Sequence, residues 1–332
     1  MDNILFILSF VMLFLGGEFL VKSSVALALR MRISTLVVGM TVVSFATSSP
    51  ELFVSIKASL DGMTDITFGN VIGSNIANIT LVLGLTAMVF RINITKQTIK
   101  INFPVMFFTF ILFGYVLYLF NEINQITGII FVSLLIIFTL FLIKRSREEN
   151  KKLSEQEKEE YEKARKTPLF QSILYMIAGI VLLMYGSEFL VNGVKSIAVL
   201  FKWDDRIVSV SLVAIGTSLP ELATSLVAAF RKESNLAIGN LIGSNIFNVL
   251  AVLGITSIIT PIKMIDESLL TDYLWMMISV IILGLFIYVF SKKQVSRLIP
   301  STPISLTVEI KSTVFQEVST PSSPARSSPK NL

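Results

Sequence analysis

Apolar stretches long enough to cross a membrane follow one another along most of this chain, separated by short polar breaks. A helix needs about 20 apolar residues to cross a hydrocarbon core of roughly 30 Å. Nine stretches reach that length: residues 4–28, 34–60, 67–90, 101–120, 124–143, 169–200, 206–230, 236–260 and 271–290. None is built of alternating short strands, so helices are predicted rather than a barrel. The first stretch lacks a basic leader and a small-residue cleavage site, which predicts a spanning helix and not a removable signal. One break differs from the rest. Residues 144–166 read KRSREENKKLSEQEKEEYEKARK, and Glu and Lys at helical spacing predict a solvated helix or a flexible connector.

The pattern then repeats at a constant offset of 170 residues. Ala46-Thr47-Ser48-Ser49-Pro50-Glu51-Leu52 returns as Gly216-Thr217-Ser218-Leu219-Pro220-Glu221-Leu222. Gly69-Asn70-Val71-Ile72-Gly73-Ser74-Asn75-Ile76-Ala77-Asn78 returns as Gly239-Asn240-Leu241-Ile242-Gly243-Ser244-Asn245-Ile246-Phe247-Asn248. Gly16-Gly17-Glu18-Phe19-Leu20-Val21 returns as Gly186-Ser187-Glu188-Phe189-Leu190-Val191. Five spans separate each element from its counterpart, and an odd number inverts its direction through the membrane. The expected fold class is therefore an all-α polytopic membrane protein of two inverted five-helix repeats. Residues 1–143 form the first, 144–168 a linker, 169–297 the second and 298–332 a polar tail. A tenth span resembling 124–143 should follow Arg297, but the chain there is rich in Ser, Thr and Pro and cannot cross a bilayer. The tenth helix is expected to be missing or replaced. Either the tail is a disordered segment or a displaced reading frame has taken the helix's place, and the second is favoured because every other element has its repeat partner.

Composition narrows the chemistry. The 332 residues are 53% hydrophobic and 15% charged, with no Cys and no His. That excludes thiolate metal sites, disulfides, imidazole switches and Cys- or His-dependent nucleophiles, and leaves hard oxygen ligands. The net charge of +5 resides in loops, pointing to lipid headgroups and not to nucleic acid. With the linker placed inside the cell, nineteen Lys and Arg fall in loops on that side. Only Lys195, Lys202, Arg206 and Lys263 fall on the other. The positive-inside rule then puts the N-terminus outside and the linker in the cytoplasm.

Polar residues inside the spans mark the candidate site. A carboxylate in the middle of a membrane helix costs at least a few kcal/mol, so Glu51 and Glu221 need partners or a function. Ser44, Thr47, Ser48, Glu51 and Ser55 fall along one side of a helix, and Thr217, Ser218, Glu221 and Ser225 repeat that stripe. Asn70, Ser74 and Asn78 step by four along the next span, as do Asn240, Ser244 and Asn248. Pro50 and Pro220 lack the N–H that would pair four residues back. They are expected to bend their helices and free the carbonyls of Ala46 and Gly216. Together these groups predict a site for a hard cation. Gly39, Gly69, Gly73 and Gly84, with Gly239, Gly243 and Gly254, are expected to let helices approach closely. Glu18 and Glu188 recur outside any dense oxygen cluster, and Asp61 and Asp65 are expected to be solvated or capping.

The motifs T-S-x-P-E and G-N-x-x-G-S-N-x-x-N, each present twice, resemble the two alpha-repeats of the cation/calcium exchanger superfamily, of the sodium/calcium exchanger type. The resemblance covers about residues 10–290. It implies ten helices, four of them a core and the first and sixth a sliding bundle. It also implies antiport of sodium against calcium by alternating access in a bacterial or archaeal inner membrane. The family's ligands fall on Thr47, Ser48, Glu51, Ser74 and Asn78 in the first half and on Thr217, Ser218, Glu221 and Ser244 in the second. The carbonyls of Ser44 and Ala214 match positions that bind sodium. Asn248 stands where many members have Asp, leaving two central acids and opening stoichiometry and potassium dependence to question. Ca2+ and Na+ are expected as substrates, with the lipid bilayer as surroundings, no cofactor, no catalytic residue and no obligatory protein partner. A proton/calcium exchanger using the same acids is the alternative within the class. A passive cation channel is the alternative outside it, and intramembrane proteolysis finds no support in these stripes.

Overall fold

The structure is a computed structural model and describes residues 2–90, 94–150, 168–200 and 216–295. Its helices follow the apolar runs: α1 (Asp2–Met31), α2 (Thr35–Thr47), α3 (Ser49–Leu60), α4 (Thr64–Val89), α5 (Thr98–Phe120), α6 (Gln125–Asn150), α7 (Leu169–Leu200), α8 (Leu219–Phe230), α9 (Ser234–Ile259) and α10 (Ser268–Val295). Among the described residues seven helices can span a membrane alone, and the bent pair α2–α3 makes an eighth. The stretch expected at 206–230 is described only from 216, and the expected tail lies outside the described residues.

Two boundaries depart from expectation. α6 runs through Asn150, beyond the limit at 143, and carries its own Arg145–Glu149 ion pair at 3.0 Å one turn apart. The charged stretch thus begins as helix, as its i, i+4 pairing permits. Outside the helices, Glu122–Ile123 (β1) and Ile262–Lys263 (β2) pair antiparallel and join the loop after α5 to the loop after α9. Thr64 Oγ1 donates to the Lys263 carbonyl at 2.5 Å, and Asp65 Oδ1 accepts the Ile265 N–H at 2.8 Å. Asp65 is therefore a clamp between loops, while Asp61 is the residue that ends α3.

The repeat is visible in backbone detail. Gly62 and Lys232, 170 residues apart, both take a left-handed conformation, with φ of 77° and 64°, in the turn between the two motif helices of each half. Widened π-helical turns start at Asn78 in α4 and at Asn248 in α9, again one repeat apart. Such turns recur at functional sites because they break the side-chain register of an α-helix.

The halves are not packed alike. In α9 83% of the apolar window is buried, against 44% in α4. α6 lies along α9, where a Cβ on Gly254 would meet Val132 and Phe131 at 2.9 and 3.2 Å. Gly239 abuts the backbone of Leu36, Gly39 and Met40, and Gly39 faces the Leu236 carbonyl and Gly239. Their counterparts differ among the described residues. No described residue lies within 4 Å of the Cβ position of Gly69 or Gly84. Gly84 is the repeat mate of Gly254.

The contrast gives a test of fold. A methyl group at 239 must displace backbone, whereas one at 69 meets no described residue. Gly239→Ala should therefore cost about 1–3 kcal/mol, the usual penalty for overpacking, and Gly69→Ala within about 0.5 kcal/mol. Thermal unfolding of the two variants in detergent measures the difference.

Candidate functional site

The site is built where both halves interrupt a helix. α2 ends at Thr47 and α3 begins at Ser49, with a bend of 43° between them. Pro50 does not kink a continuous helix. It occupies the first turn of α3, where a missing N–H leaves no bond unmade. Pro220 holds the same place in α8. This puts Glu51 and Glu221 in the first turn of their helices, where the helix dipole favours negative charge.

Ser48 and Glu51, and Ser218 and Glu221, have the spacing of a capping box, yet neither serine caps its own helix. Ser48 Oγ instead donates across to Glu221 Oε1 at 3.1 Å. Two further contacts join the halves symmetrically: Thr47 Oγ1 lies 3.3 Å from Ser244 Oγ, and Thr217 Oγ1 lies 3.3 Å from Ser74 Oγ. Thr47 Oγ1 also lies 3.2 Å from Asn240 Oδ1. Asn70 Nδ2 donates to Ser55 Oγ at 3.0 Å and to the Glu51 carbonyl at 3.1 Å, and Asn240 Nδ2 reaches Ser225 Oγ at 3.4 Å. Asn70 and Asn240 thus brace the motif helices, with Ser55 and Ser225 as their anchors.

Burial is complete at the acids. Glu51 and Glu221 are 0% exposed, and Ser44, Ser48, Ser74, Asn78, Ser218, Ser244 and Asn248 are buried with them, while Thr217 is half-buried. The two carboxylates are close enough for their charges to interact, and Thr217 stands beside Glu51. No hydrogen bond of ordinary geometry reaches either Glu51 oxygen, nor Glu221 Oε2, Ser218 Oγ, Asn248 Oδ1 or either end of the Asn78 amide. Among the described residues no Lys or Arg is buried, and no group of three or more His, Cys, Asp or Glu is assembled. Two neighbouring carboxylates and a set of neutral oxygens, with no buried base, can hold a hard cation or protons.

The carbonyl expectations fare unevenly. The Ser44 carbonyl accepts the Ser48 N–H at 2.9 Å, and Ala214 lies outside the described residues. The Gly216 carbonyl, expected to be freed by Pro220, is taken by the hydroxyl of Ser187 on α7. Its counterpart Ala46 has no such partner because Gly17 stands in the position of Ser187. The Ser44 hydroxyl, read as part of the polar stripe, lies 2.8 Å from the Gly39 carbonyl and 3.0 Å from that of Asn240, tying α2 to α9.

Glu18 lies apart from this cluster and forms a two-pronged ion pair with Arg231, at the end of α8. One prong is Nε to Oε2 at 2.9 Å and the other Nη2 to Oε1. The pair borders a cleft of about 380 Å³ that Lys22 and Glu233 also line. Glu188 is exposed on α7, and the position matching Arg231 in the first half is Asp61, so the pair has no repeat equivalent. Asn75 is the residue that sequence reasoning passed over. It accepts the Asn248 amide, although its spacing places it off the stripe of Asn70, Ser74 and Asn78.

The sequence profile of the sodium/calcium exchanger proteins matches residues 3–144 and 171–306. The chain belongs to that family. The exchanger is 36% identical over 262 residues to the putative antiporter CaxA of Alkalimonas amylolytica, covering 78% of this chain and 81% of the relative. It is 29% identical over 303 residues to the sodium/calcium exchanger MaX1 of Methanosarcina acetivorans, covering 80% and 85%. Its structure superposes on the sodium–calcium exchanger NCX_Mj with a TM-score of 0.73 at 30% identity, over 86% of this chain and 90% of that one. The protein is thus a multi-pass membrane protein of a transporter family, a cation/calcium exchanger. The family match continues past Arg297 to 306.

The unequal serines provide a test of the ion-free site. Ser48→Ala leaves Glu221 Oε1 without its donor and should cost about 1–3 kcal/mol. Ser218→Ala removes a hydroxyl that bonds nothing and should cost less than about 0.5 kcal/mol. Thermal melts in chelator and without sodium compare them.

Proposed function

We propose that the protein is a sodium/calcium antiporter whose central site is formed by Glu51 and Glu221. Thr47, Ser48, Ser74 and Asn78 serve with Glu51, and Thr217, Ser218, Ser244 and Asn248 with Glu221. The carbonyls of Ser44 and Ala214 contribute further sodium ligands. The observation that carries this reading is the pair of fully buried carboxylates, one from each half, with three of their four oxygens unpartnered and no buried base among the described residues. Desolvating such charges costs on the order of several kcal/mol each unless opposite charge accompanies them. Calcium takes six to eight oxygens and favours carboxylates, and the two acids neutralise one calcium ion. Sodium draws on the same oxygens with less demand for charge, recruiting hydroxyls and carbonyls around them.

Sharing couples the ions. Calcium and a full complement of sodium cannot occupy the same carboxylates together, so one leaves as the other enters. A site emptied of both carries two bare charges through any closed intermediate, which suppresses uncoupled return. Alternating access then follows from two repeats of opposite sense, residues 1–143 and 169–297, working around a fixed centre. The N-terminus faces outside, the linker lies in the cytoplasm, and the membrane is the cell's inner membrane.

The test loads proteoliposomes with sodium, dilutes them into sodium-free buffer and follows radiolabelled calcium uptake. Uptake should require the outward sodium gradient and fall to background in both Glu51→Gln and Glu221→Gln. Uptake driven by a proton gradient without sodium would transfer the same acids to proton/calcium exchange. Uptake insensitive to any counter-ion would indicate a channel, and full flux in either Gln variant would sink the central site.

A further inference from the structure

The amide at 248 has two ends of opposite use: its oxygen can bind a cation and its NH2 group repels one. Asn248 Nδ2 donates to Asn75 Oδ1 at 3.2 Å between fully buried residues, and Asn248 Oδ1 is left unpartnered. Asn75 is oriented in turn. Its Nδ2 points to the sulfur of Met276, on α10, at 3.7 Å. A thioether accepts weakly and donates nothing, so turning the Asn75 amide over would set its oxygen against a sulfur with no proton to offer. The chain Met276–Asn75–Asn248 therefore has one satisfied sense.

We propose that Asn75 is a positioning residue of the ion site, holding the Asn248 amide so that its oxygen, and not its NH2 group, is presented to the cation. The assignment rests on the reading of Asn248 as a ligand. The first half lacks the device. Asn245, the repeat mate of Asn75, returns its Nδ2 to the Leu241 carbonyl of its own helix at 2.7 Å, and Asn78 has neither amide end bonded. The two halves thus offer unequal amides, one fixed as an acceptor and one unrestrained. An Asp at 248 would set a carboxylate against Asn75 Oδ1, so the environment built by Asn75 and Met276 matches the neutral residue found there.

The experiment titrates purified full-length protein in detergent with calcium, read by calorimetry and by calcium-dependent thermal shift. Asn75→Leu should weaken apparent calcium affinity about three- to tenfold, the range that loss of one hydrogen bond gives. Asn75→Asp keeps an acceptor for Asn248 and should hold affinity within about twofold or tighten it, although a buried carboxylate is the poorer substitute for folding. Affinity and stability ranking in opposite orders is a pattern that a packing role does not produce. Asn248→Ala should weaken binding at least as much as Asn75→Leu, and adding Asn75→Leu to it should change nothing further. Asn245→Ala, the matched control, should stay within about twofold because its amide serves only its own helix. If Asn75→Leu fails to fold, Asn75→Ser, too short to reach Asn248, replaces it. Unchanged affinity in that variant, additive losses in the double variant, or an Asp variant as weak as Leu would each overturn the assignment. Absence of calcium binding by the unmodified protein would overturn the central-site reading itself, and this inference with it.

Discussion

Two buried carboxylates, with no buried base among the described residues, set the terms for everything around them. Hydroxyl and amide groups are abundant around Glu51 and Glu221, and many meet one another: Thr47 lies within hydrogen-bond distance of Ser244 and Asn240, Thr217 of Ser74, and Asn70 and Asn240 brace Ser55 and Ser225. What remains unmet are three carboxylate oxygens together with the Asn78 amide, the Ser218 hydroxyl and the Asn248 oxygen, a demand that a mobile cation or a proton can meet. The helix breaks at Ser48 and Ser218 serve the same end. They place each acid in a first turn, where the helix dipole partly offsets its charge. They also turn Ser48 away from the local cap it would otherwise form and toward the carboxylate of the other repeat.

Departures from repeat symmetry are of two kinds. Ser187 holds the Gly216 carbonyl where Gly17 has no side chain to do so. This difference is written in the sequence, and no rearrangement removes it. Ser48 and Ser218 are identical residues in matching contexts, and only one reaches an acid. Such a bond can pass from one half to the other at no cost in composition. The Glu18–Arg231 pair belongs to the first kind, since Asp61 occupies the place that would oppose Glu188.

The spans and the paired acids were legible because both are periodic. Apolar runs have a length set by the bilayer, and a duplicated Thr-Ser-x-Pro-Glu needs no tertiary knowledge to be seen. What was not legible depends on contacts between distant segments. Nothing in the sequence near Gly239 shows that the backbone of α2 lies against it. Proline at 220 does predict a freed carbonyl, but only the crossing of α7 brings Ser187 to it. Asn75 was missed for the same reason: one position off the stripe looks like helix–helix glue until Asn248 is found at its oxygen. The widened turns at Asn78 and Asn248 have no local signature, although their recurrence at the repeat offset is a consequence of the repeat.

The neutral residue at 248 bears on energetics as well as geometry. On the proposed reading the protein brings two negative charges to the site, one calcium brings two positive charges, and the loaded centre is neutral at the depth where charge is most costly. Two sodium ions would be equally neutral, and a third would leave a net positive centre whose movement the membrane potential drives. A third carboxylate at 248 would shift that balance, leaving the calcium-loaded centre negative and the centre with three sodium ions neutral. An amide held with its oxygen inward adds a ligand without adding charge. It improves coordination for either ion while leaving the charge selectivity to Glu51 and Glu221. The orientation of one side chain therefore matters more here than at a site with an acid in that place, because a carboxylate presents oxygen whichever way it turns, and an amide does so in only one sense.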